Sequence, residues 1–337
     1  MQYSEAEYLL NRILSGVVKC TIKDVSSNKI PLLIKNPSRY AKYLATEIYQ
    51  EIFEDCLLAG MYSDSELHYF LIENELWSSD KEARLQSLQK DIEELKLRMF
   101  EASFNSHDMG VAKRVLKAAK ADMQLLYEQK NSYNHLSASG FAEIEKNKFL
   151  IGMSLYYHDG ELFLNPETYW ASPIFILEQA LVIHRKSRTN ETQFRWLARN
   201  EPWRSYWISR KAENTLFGIS PIDLTEDQRS LIIWSTIYDN VYENPEQPPQ
   251  YVIEDDDVLD GWFISQKRKR EREHNQSAAD QLIKNDKIRN SGEIFMPVGN
   301  HEDLTRVASL NDLQADITKK QRFNYLNKNG VVPEAQM

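Results

Sequence analysis

A chain of 337 residues is long enough to bury sizeable cores and to divide into more than one domain. Its net charge of -9 sets the chain as a whole against nucleic acid and anionic membrane, and 27% charged residues with a mean hydropathy of -0.56 imply much exposed surface. Eleven glycines and 11 prolines are few for this length, which favours long helices over a turn-rich β-sandwich.

The N-terminus, MQYSEAEYLL, has no basic stretch leading into an apolar run, so no signal peptide is expected. Ser4 with Glu7 fits the capping-box spacing, in which hydroxyl and carboxylate satisfy each other's orphan amides at a helix start. Ser63 with Glu66, Ser79 with Glu82 and Thr225 with Gln228 repeat it. Val17 to Lys23 and Ile30 to Lys35 flank a polar turn and predict a small β-hairpin. Asn36 before Pro37 predicts a helix start, with the helix running to about Ala59 and stopping at Gly60. Tyr40, Tyr43, Leu44, Ile48, Ile52, Phe53 and Leu57 recur along it at helical spacing and predict its buried face.

From Asp80 the apolar positions Leu85, Leu88, Ile92, Leu95 and Met99 step by three and four, the seam of a coiled coil. After a break at Asn105 to Gly110 the stepping resumes through Ala112, Leu116, Ala119, Met123 and Leu126. Two such helices with a short connection predict an antiparallel hairpin over 80–130. Ser132 to Gly140 reads as a loop capping a helix over Phe141 to Ile151. Asp159-Gly160, between two alternating apolar runs, predicts a second hairpin, because that dipeptide tolerates the positive φ of a tight turn.

From Asn165 to Ile264 the pattern is helical and aromatic. Pro202 opens a helix carrying Trp203, Tyr206 and Trp207 toward Gly218, and Thr225 opens another through Tyr238 and Val241. The prolines of NPEQPPQ, 244–250, end that helix. The basic run Lys267 to Arg272 predicts a helix continuing into solvent. Beyond it the composition is too poor in apolar residues to fold alone, with short helix candidates over 304–317 and 318–327. The fold class is therefore mainly α, with an antiparallel coiled-coil hairpin, small β-hairpins and an extended C-terminal tail. Three segments follow: a helical domain over 1–152, an aromatic-rich helical domain over 153–264, and a charged partner-binding tail over 265–337.

The acidic run Glu254 to Asp257 with Asp260 has the oxygen chemistry a hard cation prefers, but neighbouring residues on one loop seldom converge on one ion. It reads instead as an acidic turn before Trp262 and Phe263 that could dock a basic partner. Glu271 and Glu273 interrupt the basic run, and no stacking aromatics are interleaved, so a solvated or protein-contacting helix is preferred to a nucleic-acid footprint. Cys20 and Cys56 have no metal-ligand spacing, and the seven histidines form no paired motif. No phosphate-loop, dinucleotide or nucleophile-elbow motif is present, so neither cofactor nor catalysis is expected. Arg199, Trp203, Arg204, Tyr206, Trp207 and Arg210 form one aromatic–arginine segment of the types that dominate interface energies, with buried core as the competing reading. Trp262 and Phe263, and in the tail Phe295, Phe323 and Tyr325, complete the partner-binding candidates.

Two stretches carry a family likeness. NSYNHLSASGFAEIEKNKFLIG, from Asn131 to Gly152, resembles segments of tailed-bacteriophage proteins. So do RNEPWRSYW, DLTEDQRSLIIWSTIYDNVYENPEQPP and IEDDDVLDGWF, between Arg199 and Phe263. The family is that of tail-assembly chaperones and tail structural proteins. The likeness implies a protein-binding role with other tail or assembly proteins as partners, in the host cytoplasm or the virion, as one subunit of an assembly. It transfers no functional residue. The alternative is a nucleic-acid-binding accessory protein using the basic run 267–272.

Overall fold

In the computed structural model, which describes residues 3–167, 169–212 and 216–282, the chain is predominantly helical with one small antiparallel sheet. Helix α1 (Tyr3–Ser15) ends at Gly16, whose φ of +63° turns the chain into strand β1 (Val17–Lys23). β1 pairs antiparallel with β2 (Lys29–Lys35), and β2 pairs in turn with β3 (Leu155–Tyr156), so the sheet order is β1-β2-β3. Alternation places Cys20, Ile22, Leu32 and Ile34 on the buried face. The Asp159-Gly160 turn forms, with Tyr157 N donating to Glu161 O, and its second arm pairs back through a bridge at Leu162 and Phe163 N donating to Leu155 O. The second hairpin is thus present but short, and its first arm also adds a strand to the first hairpin.

Helix α2 (Arg39–Leu58) is capped by Ser38 rather than Asn36, whose side chain instead donates to Asp223 O at 2.7 Å. It ends as expected before Gly60. Its buried stripe is Ala41, Ala45 and Cys56, with Leu44 and Ile48 partly covered. Tyr40 and Tyr43 face outward, which corrects the predicted face. The small inner side chains let α2 lie along α6 (Ala138–Gly152). The sheet, α2, α6 and α7 (Ile174–Ser187) then enclose one core that includes Phe149, Leu155, Tyr169 and Leu177. Residues on both sides of 152/153 share that core.

Helix α3 (Asp64–Glu73) carries the Ser63–Glu66 capping box. The antiparallel hairpin is present as α4 (Ser79–Glu101) and α5 (Ser106–Asn131), with Leu85, Leu88, Ile92, Met99, Leu116 and Ala119 buried along its seam. Its start is capped by Ser78, not Ser79, and Ser4 lies inside α1 rather than at its cap.

Helix α8 (Glu191–Arg199) begins with an additional capping box, Asn190 with Gln193. It is followed by α9 (Trp203–Arg210), which stops well short of Gly218, and by α10 (Glu226–Tyr242) with its Thr225–Gln228 box. The proline-rich segment separates α10 from α11 (Gln250–Glu254), and α12 (Asp256–Leu282) carries the basic run as one continuous helix. Residues 1–259 form one compact unit, and α12 from Asp260 onward belongs to a second. The tail candidates Phe295, Phe323 and Tyr325, and the helices expected over 304–317 and 318–327, lie outside the described residues.

Candidate partner-binding surface

The aromatic–arginine segment folds inward. Trp203 and Trp207, one turn apart on α9, are buried, and their indole N–H groups donate to Ser235 Oγ and Asp239 Oδ2, each at 2.8 Å. Ser235 and Asp239 are themselves one turn apart on α10, so the two helices interlock at matched four-residue spacing. Arg199 donates to the Tyr238 hydroxyl at 3.0 Å and to Ile253 O at 3.2 Å, and also pairs with Asp256. Arg204 Nη2 lies 2.6 Å from Asp239 Oδ1, close in charge but not aligned as a hydrogen bond, and its guanidinium stacks over the Tyr242 ring. Lys211 also reaches Asp239, at 3.2 Å. Burial alone would raise the Asp239 carboxyl; Trp207, Arg204 and Lys211 outweigh it and hold it below the ordinary carboxylate value.

The other candidates are placed as follows. Tyr206 is exposed, with its hydroxyl donating to Leu216 O, and Arg210 is exposed on the same helix. Trp262 is buried and Phe263 half-buried, with their rings 5.1 Å apart. The acidic run divides among three cations: Asp255 pairs with Lys113, Asp256 with Arg199 and Asp257 with Lys120. These three pairs tie the segment to α5 and α8. Among the described residues no group of His, Cys, Asp and Glu is placed to hold a metal ion, and no helix is long and apolar enough to cross a membrane. Both cysteines are free and buried, and burial pushes the Cys20 thiol up to about 11.

A stripe of exposed large side chains lies on α2. Because Ala41, Ala45 and Cys56 occupy its inner stripe, the opposite stripe presents Tyr40, Tyr43, Glu47, Glu51, Glu54 and Leu58 to solvent. Tyr40 is 67%, Tyr43 60% and Leu58 87% exposed. Exposed large side chains continue on α3 with Tyr69 and Ile72, past Tyr62, which stacks on Phe70. Sequence reading missed this stripe by assigning Tyr40, Tyr43 and Leu57 to the core. The available signal was the alanine pair, which marks a second, tighter inner stripe in the same helix. No protein-family model, curated protein or solved structure matches the chain.

Proposed function

We propose that this chain works by binding other protein chains, as a bacteriophage tail-assembly or virion structural protein, and that it acts through contacts rather than catalysis. The observation carrying this reading is the outward stripe of α2. Tyrosine and leucine exposed to this degree on a rigid helix give large contact area at low entropic cost, and interfaces are enriched in tyrosine. The interleaved Glu47, Glu51 and Glu54 select a partner with basic residues around an apolar centre. The resemblance of 131–152 and 199–263 to phage tail proteins supplies the assembly in which such a partner would be met. The basic run offers less for nucleic acid: Glu271 and Glu273 interrupt it on α12, and Lys267 lies 3.9 Å from Glu271.

The test is a phage carrying Tyr40→Ser, Tyr43→Ser and Leu58→Ser together. All three side chains are largely solvent-exposed, so the variant should melt within about 0.5 kcal/mol per site of the parent. Tailed particles should nevertheless fail to form, or form without this chain. Normal yields of tailed particles from a correctly folded variant would overturn the proposal.

A further inference from the structure

The chain is acidic overall, yet one cleft of about 570 Å³ is strongly basic. It opens between the end of α1, the ends of β1 and β2, α6, α7 and the start of α10. Six cationic side chains line it, against two carboxylates, Glu226 and Asp227. Those two are already engaged: Asp227 accepts from Thr189 and lies 3.4 Å from Arg12, and Glu226 pairs with Arg188 at 3.0 Å. Asp223, the other acid near Lys42, is held by both arms of Arg39 at 2.8 Å. Lys42, Arg185 and Arg229 therefore line the cleft with no carboxylate at ion-pair distance among the described residues, while the Lys35 amine lies over the Tyr156 ring, 5.1 Å from its centroid.

Like charges gathered around one space repel, and they persist at a cost that a bound anion removes. Burial first and Arg229 second hold the Lys42 amine below its ordinary value, so the cost is already felt at that side chain. The lining also holds polar side chains, Asn36, Asn147 and Thr225 among them, and an aliphatic part: Ile13, Ile34 and Ile151 are buried there, with Val17, Ile144 and Leu181 beside them. Apart from His184 no aromatic ring among the described residues lines the space, so it offers little stacking platform for a nucleobase. Its volume lies in the range of small-molecule sites.

We propose that this cleft binds a small organic anion, with a phosphate or carboxylate head among Lys42, Arg185 and Arg229 and an aliphatic body against the isoleucines. The site is separate from the α2 stripe, and its test does not depend on tail assembly.

Isothermal titration of the full chain with octyl phosphate, octanoate, inorganic phosphate and octanol decides it. The two octyl anions should bind saturably at one site. Inorganic phosphate, lacking the body, and octanol, lacking the charge, should each bind at least about tenfold more weakly. A preference between the two octyl anions identifies the head group. Lys42→Ala with Arg229→Ala should weaken both octyl anions by about tenfold or more. The melting temperature should hold or rise, because neither side chain has an ion-pair partner among the described residues to lose and their mutual repulsion is relieved. The proposal fails if no octyl anion binds, if octanol binds as tightly as the anions, or if the double variant keeps the parent's affinity. It also fails if binding is seen only to phosphatidylglycerol vesicles and soluble octyl phosphate does not compete, which would assign the charge to a membrane surface.

Discussion

Asp239 shows how one residue can decide whether an aromatic segment is core or interface. It takes the Trp207 indole N–H, and its two oxygens lie against Arg204 and Lys211 in a largely covered setting. Asp239→Asn would leave Arg204 without its counter-charge and should cost about 3 kcal/mol at neutral pH. A carboxyl lowered on folding lends stability that is complete above its unfolded pKa, about 3.9 for aspartate, and is lost as pH falls through the folded value. Urea melts of parent and variant should therefore show a constant gap from neutral pH to about pH 5 and a narrowing gap below about pH 4. A gap that already closes between neutrality and about pH 5 would mean that the carboxyl is not depressed. The composition of 199–210 could not have decided this, because interfaces and cores both use Trp and Arg. The discriminating feature was the partner spacing: Ser235 and Asp239 repeat the four-residue step of Trp203 and Trp207.

At the scale of elements, the α4–α5 hairpin was legible because its apolar positions form a single narrow stripe. Ile92 is 7% exposed within that seam, near Leu88 and Leu116, which are almost fully covered. Ile92→Asp would bury a charge without a partner and should cost on the order of 3 kcal/mol or more. A denaturation midpoint equal to the parent's would show that the seam is not closed. Less legible was where the hairpin begins. Ser78 and Ser79 are adjacent possible caps, and Glu82 would complete a box from Ser79. Its carboxylate instead accepts from the Trp77 indole at 3.1 Å and from Lys130 of α5 at 2.8 Å, so tertiary partners displaced a local one. In α2 the difficulty was the reverse. Apolar residues occupy more than one face, and periodicity alone cannot tell the side that packs from the side left for a partner. Alanines pack closest and won the inner position, sending the tyrosines outward.

Across residues 1–259, the first 40 residues are fastened to segments some 150 to 215 positions away, a connection no local pattern reveals. Lys23 and Gln179 exchange backbone and side-chain hydrogen bonds, Arg12 reaches Thr189 at 2.6 Å, and Arg39 grips Asp223. Gln228 is the most economical of these links. Its Oε1 accepts from Thr225 N to close the α10 capping box, while its Nε2 donates to Ile13 O at the end of α1, at 3.0 Å. The capping box by itself accepts Glu or Gln equally. Only Gln has the second donor, and the side chain is buried, so the choice is made by the distant helix. Gln228→Glu would set a carboxylate oxygen against the Ile13 carbonyl with no N–H between them. The expected cost is about 2 kcal/mol at neutral pH. Because one core spans 20–183 and Gln228 ties α10 to α1 within the same compact unit, that loss should be shared by the whole unit. Far-ultraviolet dichroism and tryptophan fluorescence, the latter dominated by the indoles of 196–234, should then report one common transition displaced to lower denaturant. If the fluorescence transition shifted while the dichroism of the remaining helices held its midpoint, residues 1–152 and 153–259 would be independent folding units, and the shared core would not be what holds them.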